Sequence, residues 1–345
     1  MVIDPSLFAV PATPQELADF RTKFYPEYKP AKTSTIIMMI LLVVVGVFAF
    51  LGAPVNEFAA VVRLMGMVMV VAPIVVLSSI ITTRYTFQKR IKGSVKAYRF
   101  AQANGLQYEA QVKNPTRSGF VFSNPNANRK SIFDVISRTD TNPFEIGNFY
   151  YETGSGKSKA IYLTGYMRIT LDRNLPNMVL DAKADDTRIF GIRQSNLGVT
   201  FSKDQALRLE GNFNDYFTLY APKEYETDAL YVFTPDFMAR LIDEASLFNA
   251  EIIDNNLYIY SINQMPLDKP ETYERLFSIL DSVGAKAITQ TDNYRDSRSE
   301  VAGAVDINGR RLKKSLSVTA TIALTAIVIL YTLQQIPMLI GIFTK

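Results

Sequence analysis

The sequence predicts an α+β soluble domain with a mainly antiparallel sheet, anchored by three transmembrane α-helices, two N-terminal and one C-terminal. Apolar runs at residues 34–53, 59–83 and 316–343 each match or exceed the roughly 20 residues that cross a bilayer's hydrocarbon. Between them, short Tyr-, Phe- and Ile-rich runs punctuated by turn signals outnumber helical patterns. Strands and helices do not alternate as βαβ units would, so the sheet is expected to be antiparallel.

Composition narrows the chemistry. The 345 residues carry a net charge of +4 and contain neither Cys nor His. Disulfides, thiolate nucleophiles, imidazole bases and the commonest metal ligands are therefore excluded. Any catalysis would fall to carboxylates, Lys, Tyr, Ser or Thr, and no cofactor is implied.

Residues 1–33 form a cytoplasmic N-terminal segment with Pro at 5, 11, 14, 26 and 30. Thr13-Pro14-Gln15-Glu16 is a capping box with Pro at the first helical position, so a helix to about Phe24 is predicted, lying along the membrane surface. More than 30 residues precede the first apolar run, so it reads as a span and not as a signal peptide. The runs at 34–53 and 59–83 make a transmembrane hairpin. Arg63 stands about one turn inside the second, where it can snorkel to the membrane interface. Pro73 is expected to kink that helix.

Lys and Arg near the ends of the spans set the orientation. Arg21, Lys23, Lys29 and Lys32 precede the first; Arg84, Lys89, Arg90, Lys92, Lys96 and Arg99 follow the second; Arg310, Arg311, Lys313 and Lys314 precede the third. Arg63 and Lys345 stand against them. The N-terminus and the main domain are thus expected in the cytoplasm, and the C-terminus outside. Residues 84–105 read as a basic juxtamembrane helix with Gly105 as its stop. Its Lys89, Lys92, Lys96 and Arg99 share one face and are candidates for contact with anionic lipid.

The cytoplasmic domain covers residues 106–290. Residues 113–143 read as loop with a short apolar piece at 119–122. Strands are expected at 144–152 and 159–171 around a Gly-rich hairpin loop, then at 178–181, 207–210, 216–220 and 230–233. Thr234 and Pro235 open a helix whose stripe is Phe237, Met238, Leu241, Ile242 and Ala245. Residues 250–253 and 257–261 are expected to pair as a hairpin around Asn255-Asn256. A last helix runs from 270 to 283 with Gly284 behind it, and 291–315 is a polar, flexible linker to the third span.

Two motifs invite chemistry. Gly154-Ser155-Gly156-Lys157-Ser158 resembles a phosphate loop, but Tyr151 stands where its first glycine belongs, and a strand follows where a helix must. Asp181, Asp185 and Asp186, with Asp172 nearby, form a weak candidate site for a hard cation. Aromatic strands can also stack on nucleic acid, but abundant Asp and Glu over 161–259 leave no basic face, so no nucleic acid is expected.

The runs Glu145-Ile146-Gly147-Asn148, Tyr151 to Lys157, Gly165 to Pro176, Leu209 to Phe213, Tyr220 to Glu226 and Thr234 to Met238 resemble bacterial membrane proteins of unknown function. Those proteins place two transmembrane helices ahead of a cytoplasmic domain. The resemblance covers about residues 85–262 and implies a bacterial inner-membrane location. It brings no catalytic residues. That family often carries a His after its Leu-Pro pair, where this chain has Asn177.

A binding or scaffolding module with a protein partner and anionic membrane lipids is the leading expectation. A carboxylate- or metal-dependent enzyme on a membrane-proximal substrate is one alternative. A transport subunit is another, and it would need a homo-oligomer or a partner, because three helices give too little wall for a pore.

Overall fold

The computed structural model describes residues 3–52, 58–184, 186–189, 192–195, 197, 199–315, 325, 327 and 331. The third apolar run, apart from those last three residues, lies outside them. The chain forms two compact units, residues 4–103 and residues from 104 onward.

The first unit is helical: α1 (Ser6–Ala9), α2 (Pro14–Phe24), α3 (Thr33–Leu51) and α4 (Ala59–Ala103). Helix α3 and the first half of α4 are long and apolar enough to cross a membrane. Both turn their apolar side chains outward, with Leu41, Phe48, Leu64 and Val75 all well exposed. The helices meet at Gly46 and Gly66. A Cβ on Gly46 would sit 2.8 Å from the Gly66 carbonyl oxygen, and one on Gly66 would sit 2.8 Å from the Gly46 oxygen. This is the small-residue contact by which apolar helices approach closely. Helix α4 runs on past the apolar stretch for 45 residues in all, about 68 Å, and Gly105 at φ 63° follows its end.

The capping box forms as expected: the Glu16 N–H donates to Thr13 Oγ1 at 3.2 Å, and the Thr13 N–H to Glu16 Oε2 at 2.8 Å. The N-terminal segment runs antiparallel along the polar half of α4. Phe8 meets Phe100, Phe20 and Phe24 meet Tyr98, Tyr28 stacks on Phe87 at 3.8 Å, and the Ala31 carbonyl accepts from Arg84. Its aromatic residues supply a reason to bury against a helix that the count of prolines concealed.

The second unit is built on one sheet with β1 (Gln107–Lys113), β2 (Ala127–Arg138), β3 (Phe144–Thr153), β4 (Ala160–Ala182), β8 (Ala206–Leu207), β9 (Phe217–Tyr220) and β10 (Asn249–Ser261). Two small antiparallel pairs stand beside it, β5 (Thr187–Ile189) with β6 (Ile192–Gln194), and β7 (Thr200–Phe201) with β11 (Lys314–Ser315). Helices α5 (Phe213–Tyr216), α6 (Glu226–Val232), α7 (Pro235–Ala245), α8 (Pro270–Ile279) and α9 (Ala285–Thr291) complete it. The sheet is antiparallel throughout, as predicted.

Strand β4, 23 residues and about 75 Å long, is the spine. Its first half lies between β3 and β10, and its end lies between β10 and β9. The predicted gap between 171 and 178 is a bulge within one strand: residues 171–174 of β4 have no partner while β10 advances from Asn256 to Asp254. Pro176 is tolerated because the ladder is irregular there. Likewise, 250–261 is one continuous strand and not a hairpin, since both of its halves pair with β4. Asp254, at φ 52°, takes the positive φ inside a bulge and not in a turn.

Other expectations are corrected. Residues 113–143 contain β2, whose alternation is interrupted at Asp134 (φ 53°), where a bulge sets Phe133 and Ile136 opposite Asn148 and Ile146. Residues 230–233 are not a strand, because α6 covers Glu226–Val232. Of the strand expected at 207–210, only Leu207 is paired. The last helix passes Gly284 through a π-turn (Leu280–Gly284) into α9. Gly284 is there for close approach, since a Cβ would lie 2.9 Å from Ile169 Cδ1. The return segment is packed: the Tyr225 hydroxyl and the Asp306 N–H both donate to Asp296 Oδ2 (2.6 and 2.8 Å), and Arg298 lies 4.3 Å from the Tyr225 ring centroid. Gly154 (φ 69°) and Gly156 (φ 54°) turn the β3–β4 hairpin as predicted.

Each face of the sheet is covered. On one, Phe144 packs on Phe277, and Met178, Leu180, Ala250, Ile252 and Leu257 meet Phe233, Phe237 and Leu241. On the other, Phe120 and Phe122 from the β1–β2 crossing pack on Phe149, Tyr166, Tyr258 and Tyr260, together with Phe201 and Leu312.

Candidate functional site

Arg63 is exposed on the apolar half of α4. Lys89 and Lys92 are exposed on its polar half and Lys96 is half-buried. Arg99 is held within its own unit, where it fastens the N-terminal segment. Its Nη2 lies 2.7 Å from Glu16 Oε2, its Nε donates to Glu16 Oε1 at 3.1 Å, and its Nη1 donates to the Val10 carbonyl at 2.8 Å. Arg99, then the Thr13 N–H, hold the Glu16 carboxyl down to about 2. Asp181 is buried and accepts from Ser195 Oγ at 2.7 Å. Asp186 is half-buried, and Asp185 lies outside the described residues. Asp172 is exposed in the β4 bulge, about 30 Å of strand away from Asp181. Among the described residues no group of three or more Asp or Glu side chains is placed to hold a metal ion.

The concentrated chemistry lies elsewhere, on the sheet face under the β1–β2 crossing. Pairing sets Arg168 of β4 directly between Glu145 of β3 and Tyr258 of β10, with Tyr166 two residues along on the same face. The crossing lowers Arg117 onto this group. Arg117 binds Glu145 through two bonds, Nε to Oε1 at 2.9 Å and Nη2 to Oε2 at 2.8 Å. Arg168 Nη2 adds a third at 3.2 Å, and the Tyr166 hydroxyl a fourth at 2.5 Å. Burial works to raise the Glu145 carboxyl, but Arg117, Arg168 and Tyr166 outweigh it and hold it below the usual range.

A second carboxylate sits nearby in the opposite electrostatic state. Glu251 of β10 is 1% exposed and, among the described residues, no cation forms an ion pair with it. Its Oε2 accepts from the Phe120 N–H at 2.7 Å and the Tyr260 hydroxyl at 2.9 Å; its Oε1 accepts from Asn177 Nδ2 at 3.1 Å. Burial pushes it up to about 7, against those three bonds and the attraction of Arg311. Asn177 extends the network, donating to the Ile252 carbonyl and accepting from the Leu312 N–H, both at 3.1 Å. Gly119 makes room: a Cβ there would collide with the Tyr260 hydroxyl and lie 3.1 Å from Glu251 Oε2.

Two carboxyls with divergent ionisation are the raw material of acid–base pairs. Here both are sealed from solvent, at 4% and 1% exposure, so what the arrangement does is fasten five segments together: the 117–120 crossing, β3, β4, β10 and the chain at Leu312. Sequence reasoning passed over Glu251 and Arg117, and met Glu145, Arg168 and Asn177 only as carriers of the resemblance. The available signal was parity: Glu251 stands between Ala250 and Ile252 in a strand apolar on both faces, where an acid must be paired or neutral.

No family model and no curated protein matches this chain. Among solved structures, the crystal structure of the mycobacterial trehalose monomycolate transport factor A, TtfA, is similar over 58% of this chain and 94% of that one, at 9% identity and a TM-score of 0.35. A likeness of that degree carries no argument about function.

Proposed function

We propose that this protein is a membrane-anchored binding module of the bacterial inner membrane. In this reading α3 and the first half of α4 cross as a hairpin and residues 316–343 cross as a third span. The sheet unit faces the cytoplasm, the C-terminus lies outside, and a protein partner docks on the sheet unit. The observation that carries the reading is the outward display of apolar side chains along α3 and α4, which water does not tolerate and hydrocarbon does. The sealed carboxylate network adds support for a binding role, since it stiffens the unit without offering a reacting group to solvent.

The absence of Cys makes the test direct. Single cysteines at Ser155 and Thr344 are treated with a membrane-impermeant maleimide in intact cells. Labelling at 344 alone, with 155 reacting only after lysis, is the expected result; the reverse would overturn the orientation. Crosslinking in the native membrane, followed by mild-detergent extraction, should then yield one stoichiometric protein partner. A solitary chain would overturn the binding role.

A further inference from the structure

The 301–315 segment leaves the sheet unit without slack. The Leu312 side chain is buried and its N–H is bonded to Asn177. The Lys313 backbone is clasped from both sides by Gln205, whose Oε1 accepts from the Lys313 N–H and whose Nε2 donates to the Lys313 carbonyl, both at 2.9 Å. Lys314 and Ser315 then pair with Phe201 and Thr200. The next residue, Leu316, begins the apolar run. An extended chain advances at most about 3.6 Å per residue, so Lys313 lies within about 11 Å of that run's start.

The surface of this segment has a consistent character. Arg310, Arg311, Lys313 and Lys314 are exposed. The segment's one carboxylate, Asp306, accepts from the Asn308 N–H at 3.0 Å. Beyond the segment, Asp254 lies 3.5 Å from Arg311, and Asp204 is within the electrostatic reach of Lys313. Ile307, 76% exposed, is the most exposed large apolar side chain described in this unit, and Val301 follows at 65%. Cations beside an exposed aliphatic residue match the headgroup region of an anionic leaflet.

We propose that the surface formed by Ile307, Arg310, Arg311, Lys313 and Lys314 rests on the anionic surface of the membrane, with Ile307 at headgroup depth, so that the sheet unit is held against the bilayer by its own C-terminal edge. This rests on the reading of 316–343 as a span. Charge complementarity and the length of chain between the last paired residue and the apolar run both favour lipid as the occupant.

The test uses the full chain, one copy per nanodisc, with a single cysteine carrying a nitroxide at position 307, 155 or 327. Collision with a water-soluble nickel complex is compared in phosphatidylcholine and in phosphatidylcholine with phosphatidylglycerol. The expected result is a drop of about fivefold in nickel access at 307 when phosphatidylglycerol is present, corresponding to the lipid attraction of one cation. Position 155 should stay open and 327 closed. Reversing the four cations to Glu should return 307 to the level of 155. If 307 remains as open as 155 while 327 is closed, the surface contact is overturned and the span stands; a second copy of the chain covering 307 would also give this result in single-copy discs. If 327 is open to nickel, the span itself is overturned and the contact with it.

Discussion

Replacing Glu251 by Gln should reverse its effect on stability between acid and alkaline pH. In the folded chain the carboxyl is pushed from 4.5 up to about 7 by burial. The native state therefore keeps its proton where the unfolded chain has lost it. The contribution of this site is fully present below the unfolded value and is lost as pH rises through the folded value. The gap corresponds to about 3 kcal/mol by about pH 8.5, where an ionised carboxylate is sealed in the core. Gln has no proton to lose, so that cost disappears. It also places an NH₂ group where Oε1 accepts from Asn177, which removes a bond worth about 1 kcal/mol at every pH. The variant should be less stable than the parent by about 1 kcal/mol near pH 4, equal to it slightly above pH 5, and more stable by about 2 kcal/mol near pH 8.5. At about 2–4 °C per kcal/mol for a unit of this size, the two melting curves cross and separate measurably. Near-ultraviolet circular dichroism of the full chain in nanodiscs, dominated by its tyrosines, reads the transition. Parallel pH profiles for the two proteins across that range would refute the reasoning.

Three further outcomes are expected. Gly119→Ala drives a methyl group into the Tyr260 hydroxyl and should destabilise the sheet unit by about 1–3 kcal/mol; adding Tyr260→Phe should recover part of the loss, and strict additivity in the double-mutant cycle would count against the contact. Gly46→Leu should part α3 from α4 at a similar cost, seen as loss of oxidative crosslinking between cysteines placed at Phe50 and Met65; unchanged crosslinking would show that the helices do not need the glycine contact. Glu16→Ala removes half of the capping box and both oxygens that hold Arg99, so amide exchange over residues 14–24 should rise at least about fivefold, with exchange in β4 unchanged as the internal control.

What the sequence disclosed follows from where its signals are local. The apolar runs of α3 and α4, the Thr13 capping box, the Gly154–Gly156 turn and the amphipathic α7 each depend on residues a few positions apart, and each was legible. Long-range pairing was not. Nothing near Pro176 tells that β4 continues through it, because the reason is the bulge opposite Asp254, some 80 residues later. Asp134 hid β2 in the same way, by breaking the alternation of Ile132, Phe133, Val135 and Ile136. The carboxylate network was invisible because Arg117, Glu145, Arg168, Asn177 and Glu251 meet only after five segments are in place. Asp172 parts from Asp181 for the converse reason: proximity in sequence along an extended strand is separation in space.

The polar half of α4 behaves as a rigid shaft. From Arg84 to Ala103 it has no break, and the N-terminal segment is laid along it by Phe8, Phe20, Tyr28 and Arg99. A helix stores little twist, so turning its apolar end by one residue's worth, about 100°, turns Ala103 through nearly the same angle. The N-terminal segment resists bending as well, because flexing the shaft would shear a row of packed rings. Torque applied to α4 at Arg84 is therefore delivered at Ala103, about 30 Å away, with almost no loss in slack.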